Sequence, residues 1–113
     1  MVKMYGIPNC DTIKKARQWL NEHNIAYEFH DYKKQGIDES LLHDWINQLG
    51  WENLLNKRST TWRQLDQDLK ANLDERQAIK IMLAHPSIIK RPLLDDGRRL
   101  LLGFKADQYA ALF

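Results

Sequence analysis

The chain holds one cysteine, Cys10, in the stretch Tyr5-Gly6-Ile7-Pro8-Asn9-Cys10-Asp11-Thr12, between a strand-like opening and a helical pattern. A thiol at the start of a helix meets unpaired backbone N–H groups and the positive end of the helix dipole, and both favour an anion. The thiolate is the nucleophile of disulfide exchange, whereas an unperturbed thiol with a pKa of about 8.5 is mostly protonated at neutral pH. The placement therefore points to an activated thiol. Pro8, Asn9, Asp11 and Thr12 are loop and cap residues, which argues against an inert, buried cysteine. Asp11 acts in the other direction, because an adjacent negative charge disfavours a thiolate. Thr12 has two readings of equal weight: a hydrogen-bond donor to the thiolate, or a helix cap. One cysteine excludes an intrachain disulfide, and Ile13 stands where the second thiol of a C-x-x-C pair would be. A mixed disulfide formed at Cys10 must then be resolved by a thiol from outside the chain. His23, His30, His43 and His85 are scattered without metal-ligand spacing, so no metal site is expected.

The elements that would hold this thiol are legible from periodicity. Residues 2–6 read as a short strand, and from Asp11 to about Glu22 the apolar positions Ile13, Ala16, Trp19 and Leu20 keep helical spacing. Lys14 and Lys15 lie off that face and read as solvated charges. Asn24 suits a left-handed cap. Residues 26–32 alternate as a second strand. A β-α-β opening brings two parallel strands together through a right-handed crossover.

Residues 33–36 read as a polar turn. Asp38 then caps a helix carrying Leu41, Leu42, Trp45, Ile46 and Leu49, and Gly50 stops it. Residues 51–55 read as one further helical turn. Ser59-Thr60-Thr61 starts a helix running through Trp62, Leu65 and Leu69. Asp74 caps another, with Ala78, Ile79, Met82 and Leu83 on one face, closed by His85-Pro86. Residues 88–94 are strand-like at their far end, Asp95-Asp96-Gly97 is a hairpin turn, residues 98–103 return, and residues 106–113 form a last helix. Trp19, Trp45 and Trp62 fall on apolar helix faces and read as packing. The order β-α-β, helices, β-β-α predicts one α/β domain over residues 1–113: a four-stranded mixed sheet of thioredoxin-like plan, with a helical insert at about 37–85.

The bulk numbers narrow the function. At 113 residues, 43% hydrophobic and with four tryptophans, the chain is long and apolar enough for a real core. A net charge of +2 suggests neither direct nucleic-acid binding nor an acidic membrane surface. No signal peptide or long apolar run is seen, which predicts a cytoplasmic protein whose thiol stays reduced.

Tyr5-Gly6-Ile7-Pro8-Asn9-Cys10-Asp11-Thr12-Ile13-Lys14-Lys15-Ala16 strongly resembles the active-site turn of the arsenate reductase (ArsC)/Spx family, closest to its YffB-like branch. Asn56-Lys57-Arg58-Ser59-Thr60-Thr61-Trp62-Arg63 resembles the family's middle arginine segment. His85-Pro86-Ser87-Ile88-Ile89-Lys90-Arg91-Pro92-Leu93 resembles the segment with its second arginine and its cis-proline. The resemblance runs from residue 2 to about residue 112. It implies a thioredoxin/glutaredoxin-like fold and single-cysteine thiol chemistry, with Cys10 as nucleophile. It also implies a cis bond before Pro92, with Arg91, Arg58 and Thr12 stabilising thiolate or substrate. In a direct alignment the first oxyanion arginine falls nearer Asn56 than Arg58.

The activity it implies is that of a glutathione-dependent thiol reductase with no bound cofactor. Glutathione serves as co-substrate, and small-molecule or protein disulfides are possible substrates. Glutathione carries two carboxylates, which suit arginine forks. Two alternatives stay open. One is arsenate reduction, against which Gly103 stands where those reductases carry a third arginine; Lys105 nearby offers a point charge instead of a fork. The other is an Spx-like regulator that binds the RNA polymerase α subunit, without the cysteine pair those regulators use for sensing.

Overall fold

A computed structural model describes all 113 residues, Met1–Phe113. The chain divides into two compact units, one of Met1–Asp31 with Arg91–Phe113, the other Tyr32–Lys90.

The first unit carries the sheet. Strands β1 (Val2–Gly6), β2 (Tyr27–Asp31), β3 (Leu93–Asp95) and β4 (Leu100–Leu102) lie in the order β2-β1-β3-β4. β1 runs parallel to β2, with Met4 opposite Phe29, and antiparallel to β3, with Met4 opposite Leu94. β3 and β4 form a hairpin, so the sheet is mixed. The hairpin turn follows from its side chains. Asp95 Oδ1 accepts the Gly97 N–H at 2.8 Å, and Asp96 Oδ1 accepts the Arg98 and Arg99 N–H groups at 2.9 and 2.7 Å. Gly97 takes φ +95°, open to glycine at little cost.

Helix α1 (Asp11–Glu22) makes the crossover between the parallel strands and ends at Asn24, whose φ of 57° is the left-handed conformation expected there. The last helix of this unit, Ala106–Leu112, leans on the same core. Met4, Ile13, Ala16, Leu20, Leu94 and Tyr109 form that core, each fully buried.

The second unit is helical. In chain order it holds α2 (Tyr32–Gln35), α3 (Glu39–Leu49), α4 (Trp51–Leu54), α5 (Thr60–Arg63), α6 (Gln67–Ala71) and α7 (Glu75–Ala84), then a 3₁₀ turn over Pro86–Ile88. The helix of Ala106–Leu112 is therefore α8. An antiparallel bridge joins Leu55 to Ile89, with the Lys90 N–H donating to Leu54 O at 2.7 Å and the Asn56 N–H to Ile88 O at 2.8 Å.

Three details differ from the periodicity reading. Residues 32–35 form a helical turn rather than an open one, anchored by buried Tyr32 and closed by the Gly36 N–H donating to Tyr32 O. The helix expected to run from Ser59 through Leu69 is two helices. Ser59 Oγ accepts the Trp62 N–H at 3.1 Å to start the first, and Asp66 accepts the Asp68 N–H to start the second, so a second cap interrupts the apolar spacing. Trp62 is half-buried, with the Lys57 and Lys70 ammonium groups 5.7 and 5.6 Å from its ring centre. Trp45, by contrast, is 1% exposed. Asp74 caps α7 as expected, its Oδ1 accepting the Gln77 N–H, whereas Asp38 occupies the cap position of α3 without a side-chain hydrogen bond.

Candidate active site

Cys10 is the N-cap residue of α1, with the extended backbone of a cap (φ −101°, ψ 131°). Asp11, Thr12 and Ile13 are then the first three helical positions. A side chain at the cap normally meets the N–H groups of the second and third, here Thr12 and Ile13. The thiol is half-buried and packs on the edge of the core.

Burial is the largest influence on this thiol and by itself raises its pKa. The Ile13 N–H, the Arg91 guanidinium and the Thr12 N–H act in the opposite direction, and together they bring the thiol below its ordinary value. None of the N–H groups makes a closely aligned capping bond to Sγ. The thiolate is thus favoured by several charge-directed contacts that gain strength when the sulfur ionises. Thr12 contributes through its backbone. Asp11 is not among the groups that shift the sulfur.

Arg91 reaches Cys10 because of where β3 begins. Tyr5 of β1 is opposite Leu93, so the residues just before Leu93 pass the end of β1 where the chain turns towards Cys10. The Arg91–Pro92 peptide bond is cis, and Pro92 is buried. Its carbonyl accepts the Gly103 N–H at 2.9 Å, which ties this loop to the end of β4. Gly103 has φ +79°, a conformation that costs an arginine strain that glycine escapes.

The sheet unit therefore brings Cys10, Thr12, Arg91 and Pro92 together. Arg58 stands in the helical unit, exposed, at the turn before α5, where its N–H donates to Asn56 Oδ1 at 3.0 Å. Asn56, the other candidate of that segment, is half-buried and also tied by its own N–H to Ile88 O. The Ile13 N–H is the contact the sequence reading did not single out; counting three positions from the cap would have found it.

Comparison with known proteins shows the family and the fold. A model of the ArsC family matches residues 5–112. An uncharacterized protein of Haemophilus influenzae is 45% identical over 113 residues, covering 100% of this chain and 99% of the relative. A protein named global transcriptional regulator Spx, from Streptococcus mutans, is 30% identical, over 98% of this chain and 82% of its own length. A solved structure named YFFB protein superposes with a TM-score of 0.94 at 56% identity, covering 98% of this chain and 97% of that one.

Proposed function

This chain belongs to the ArsC family, and from that premise we propose that it is a glutathione-dependent thiol–disulfide oxidoreductase with Cys10 as its only nucleophile. Family membership supports a thiol-based redox role in general terms. The observation that carries the finer reading is the convergence of the Ile13 and Thr12 N–H groups and the Arg91 guanidinium on a single half-buried thiol.

The chemistry takes two exchanges. The Cys10 thiolate attacks one sulfur of a disulfide substrate; a new S–S bond forms at Cys10, and the other sulfur leaves as a thiolate that takes a proton from solvent. A glutathione thiolate then attacks the mixed disulfide, releases the Cys10 thiolate and carries the first group away as a disulfide. When that group is itself glutathione, the rest of the substrate is released as a thiol, and the glutathione it carried leaves joined to the incoming one as oxidised glutathione. No second cysteine competes for the resolving step. In this reading Arg91, which acts on the sulfur, would meet a carboxylate of glutathione. No helix of the chain is long and apolar enough to cross a membrane, and the cytoplasm is the compartment where such a thiol stays reduced and glutathione is at hand.

Intact-mass spectrometry after exposure to oxidised glutathione, across a pH series, tests the reading. One glutathione adduct is expected, at Cys10, forming with a midpoint below the ordinary thiol range. No adduct near neutral pH would overturn it.

The relative named global transcriptional regulator Spx favours a second reading, a regulator without redox control, which the family resemblance would make a binder of the RNA polymerase α subunit. Capture of purified α subunit by a chain that shows no thiol exchange would establish it in place of the first. Arsenate reduction has weaker support, because Gly103, at φ +79°, supplies no fork for a tetrahedral oxyanion.

A further inference from the structure

Gly6 is the last residue of β1, buried and paired with Asp31 of β2. It is not among the glycines with positive φ, so its backbone is one that any residue adopts. Space is what demands glycine here. A Cβ built on Gly6 would collide with Cδ1 of Ile13, lie 3.2 Å from its Cγ1, and come into van der Waals contact with Cβ of Arg91 at 3.5 Å. Ile13 is the neighbour that must move, and Arg91 leaves no open space beside it.

Both neighbours act on the Cys10 sulfur, Ile13 through its backbone N–H and Arg91 through its guanidinium. Cδ1 can turn about χ2, but Ile13 is fully buried among Met4, Ala16, Leu20, Leu94 and Tyr109, so any turn must displace a packed neighbour, and its branched Cβ holds χ1 in a helix. Packing at this density passes a one-carbon insertion on to the backbone. The backbone that would move is the first turn of α1, which holds the N–H groups facing Sγ.

We propose that Gly6 is a positioning residue for the Cys10 thiolate: its missing side chain lets the start of α1 and the Arg91 segment close together around the sulfur. This rests on the thiol chemistry proposed above. Gly6 touches no reacting atom and acts through Ile13 and Arg91.

The test is the pH profile of Cys10, read by thiolate absorbance and by alkylation with iodoacetamide, in the wild type, Gly6→Ala, Ile13→Val and the double variant. Gly6→Ala is expected to form its thiolate at higher pH than the wild type and to react about threefold slower near neutral pH, since displaced donors weaken the thiolate while the less acidic sulfur recovers part of the rate. Ile13→Val removes the Cδ1 that collides, so the double variant is expected between Gly6→Ala and the wild type. A purely structural role would lower the melting temperature and leave the thiol profile where it was. A folded Gly6→Ala with the wild-type profile overturns the proposal, as does a shift that Ile13→Val does not relieve. Should Gly6→Ala fail to fold, the double variant is compared with Ile13→Val alone. The tight contact to the remaining γ-carbon predicts a smaller shift in the same direction, and coincident profiles overturn the proposal. A wild-type thiol that titrates in the ordinary range would sink the thiolate reading itself; a low wild-type profile shared by Gly6→Ala sinks only the role of Gly6.

Discussion

Arg91→Ala is expected to slow alkylation of Cys10 near neutral pH by about three- to tenfold, and to leave it undiminished at pH values above the ordinary thiol range. The hydrogen bond and charge of Arg91 favour the ionised sulfur. A hydrogen bond to a charged group is worth about 1.5–3 kcal/mol, equivalent to roughly ten- to a hundredfold or slightly more in thiolate population at a pH where the thiol is mostly protonated. About half of that, in logarithmic terms, is recovered because the less stabilised sulfur is more nucleophilic. The sign follows from the direction of the shift. A thiol held below its ordinary value gives up its proton at lower pH, so the wild type leads near neutrality. Once both sulfurs are ionised the lead vanishes, and the variant is expected to match or slightly exceed the wild type. Repeating the series with oxidised glutathione separates two roles of one side chain. If Arg91 also holds a glutathione carboxylate, its loss costs rate with that reagent even at high pH, whereas with uncharged iodoacetamide the curves meet. Curves for iodoacetamide that stay parallel at all pH values would remove Arg91 as a stabiliser of the thiolate.

Arg91 illustrates what the chain makes legible and what it does not. The cap position of Cys10 is readable because Pro8, Asn9, Asp11 and Thr12 cluster just before an apolar stripe of period 3.6, and those signals are local. The Asp95-Asp96-Gly97 hairpin is readable for the same reason, and its carboxylates do bond the N–H groups of the turn. Local signals also overlap. Asp66 sits in a polar run between Leu65 and Leu69, two residues that fit one continuous helix, and only its capping bond to Asp68 reveals the break. The approach of Arg91 to Cys10 is different in kind. It spans eighty-one positions of sequence, depends on β3 lying antiparallel to β1, and was reachable at first only through the family resemblance. Gly6 is hidden further still. In the sequence it is one more residue at a strand end, with no turn to require it, and its importance arises from two side chains that arrive from elsewhere.

The proposed preference for an extended substrate over a tetrahedral one rests on the same tertiary dependence. Arsenate demands several planar cations arranged about one small anion, whereas a glutathione disulfide spreads its charges along a chain. In the proposed reading, one guanidinium acting on the sulfur, with a left-handed glycine where the resemblance puts a third arginine, suits the second requirement better than the first.

The largest effect on stability is expected at Tyr109, in both directions. Its ring is fully buried and meets Trp19 and Phe104 edge-on, with centroids 5.5 and 4.8 Å away. It is the only buried side chain that the seven-residue α8 contributes. Tyr109→Ala is therefore expected to cost about 3–5 kcal/mol in denaturant unfolding, the range for emptying an aromatic site in a packed core. Tyr109→Phe is expected to do the opposite. The Tyr109 hydroxyl is buried with no hydrogen-bond partner, and removing an unsatisfied buried hydroxyl while keeping the ring relieves about 1–2 kcal/mol of desolvation cost. Burial also pushes the Tyr109 pKa up from its ordinary 10.0. The native state then holds a proton that the unfolded chain releases above that value, so stability falls as pH rises past 10.0. Phenylalanine has no proton to lose. The advantage of Tyr109→Phe over the wild type should thus widen in alkaline solution, while Tyr5, also raised first by burial and then by Asp95 and Glu28, contributes equally to both chains and cancels. A Phe variant less stable than the wild type at neutral pH would show that the hydroxyl is hydrogen-bonded in solution, and an advantage constant with pH would show that Tyr109 does not resist ionisation.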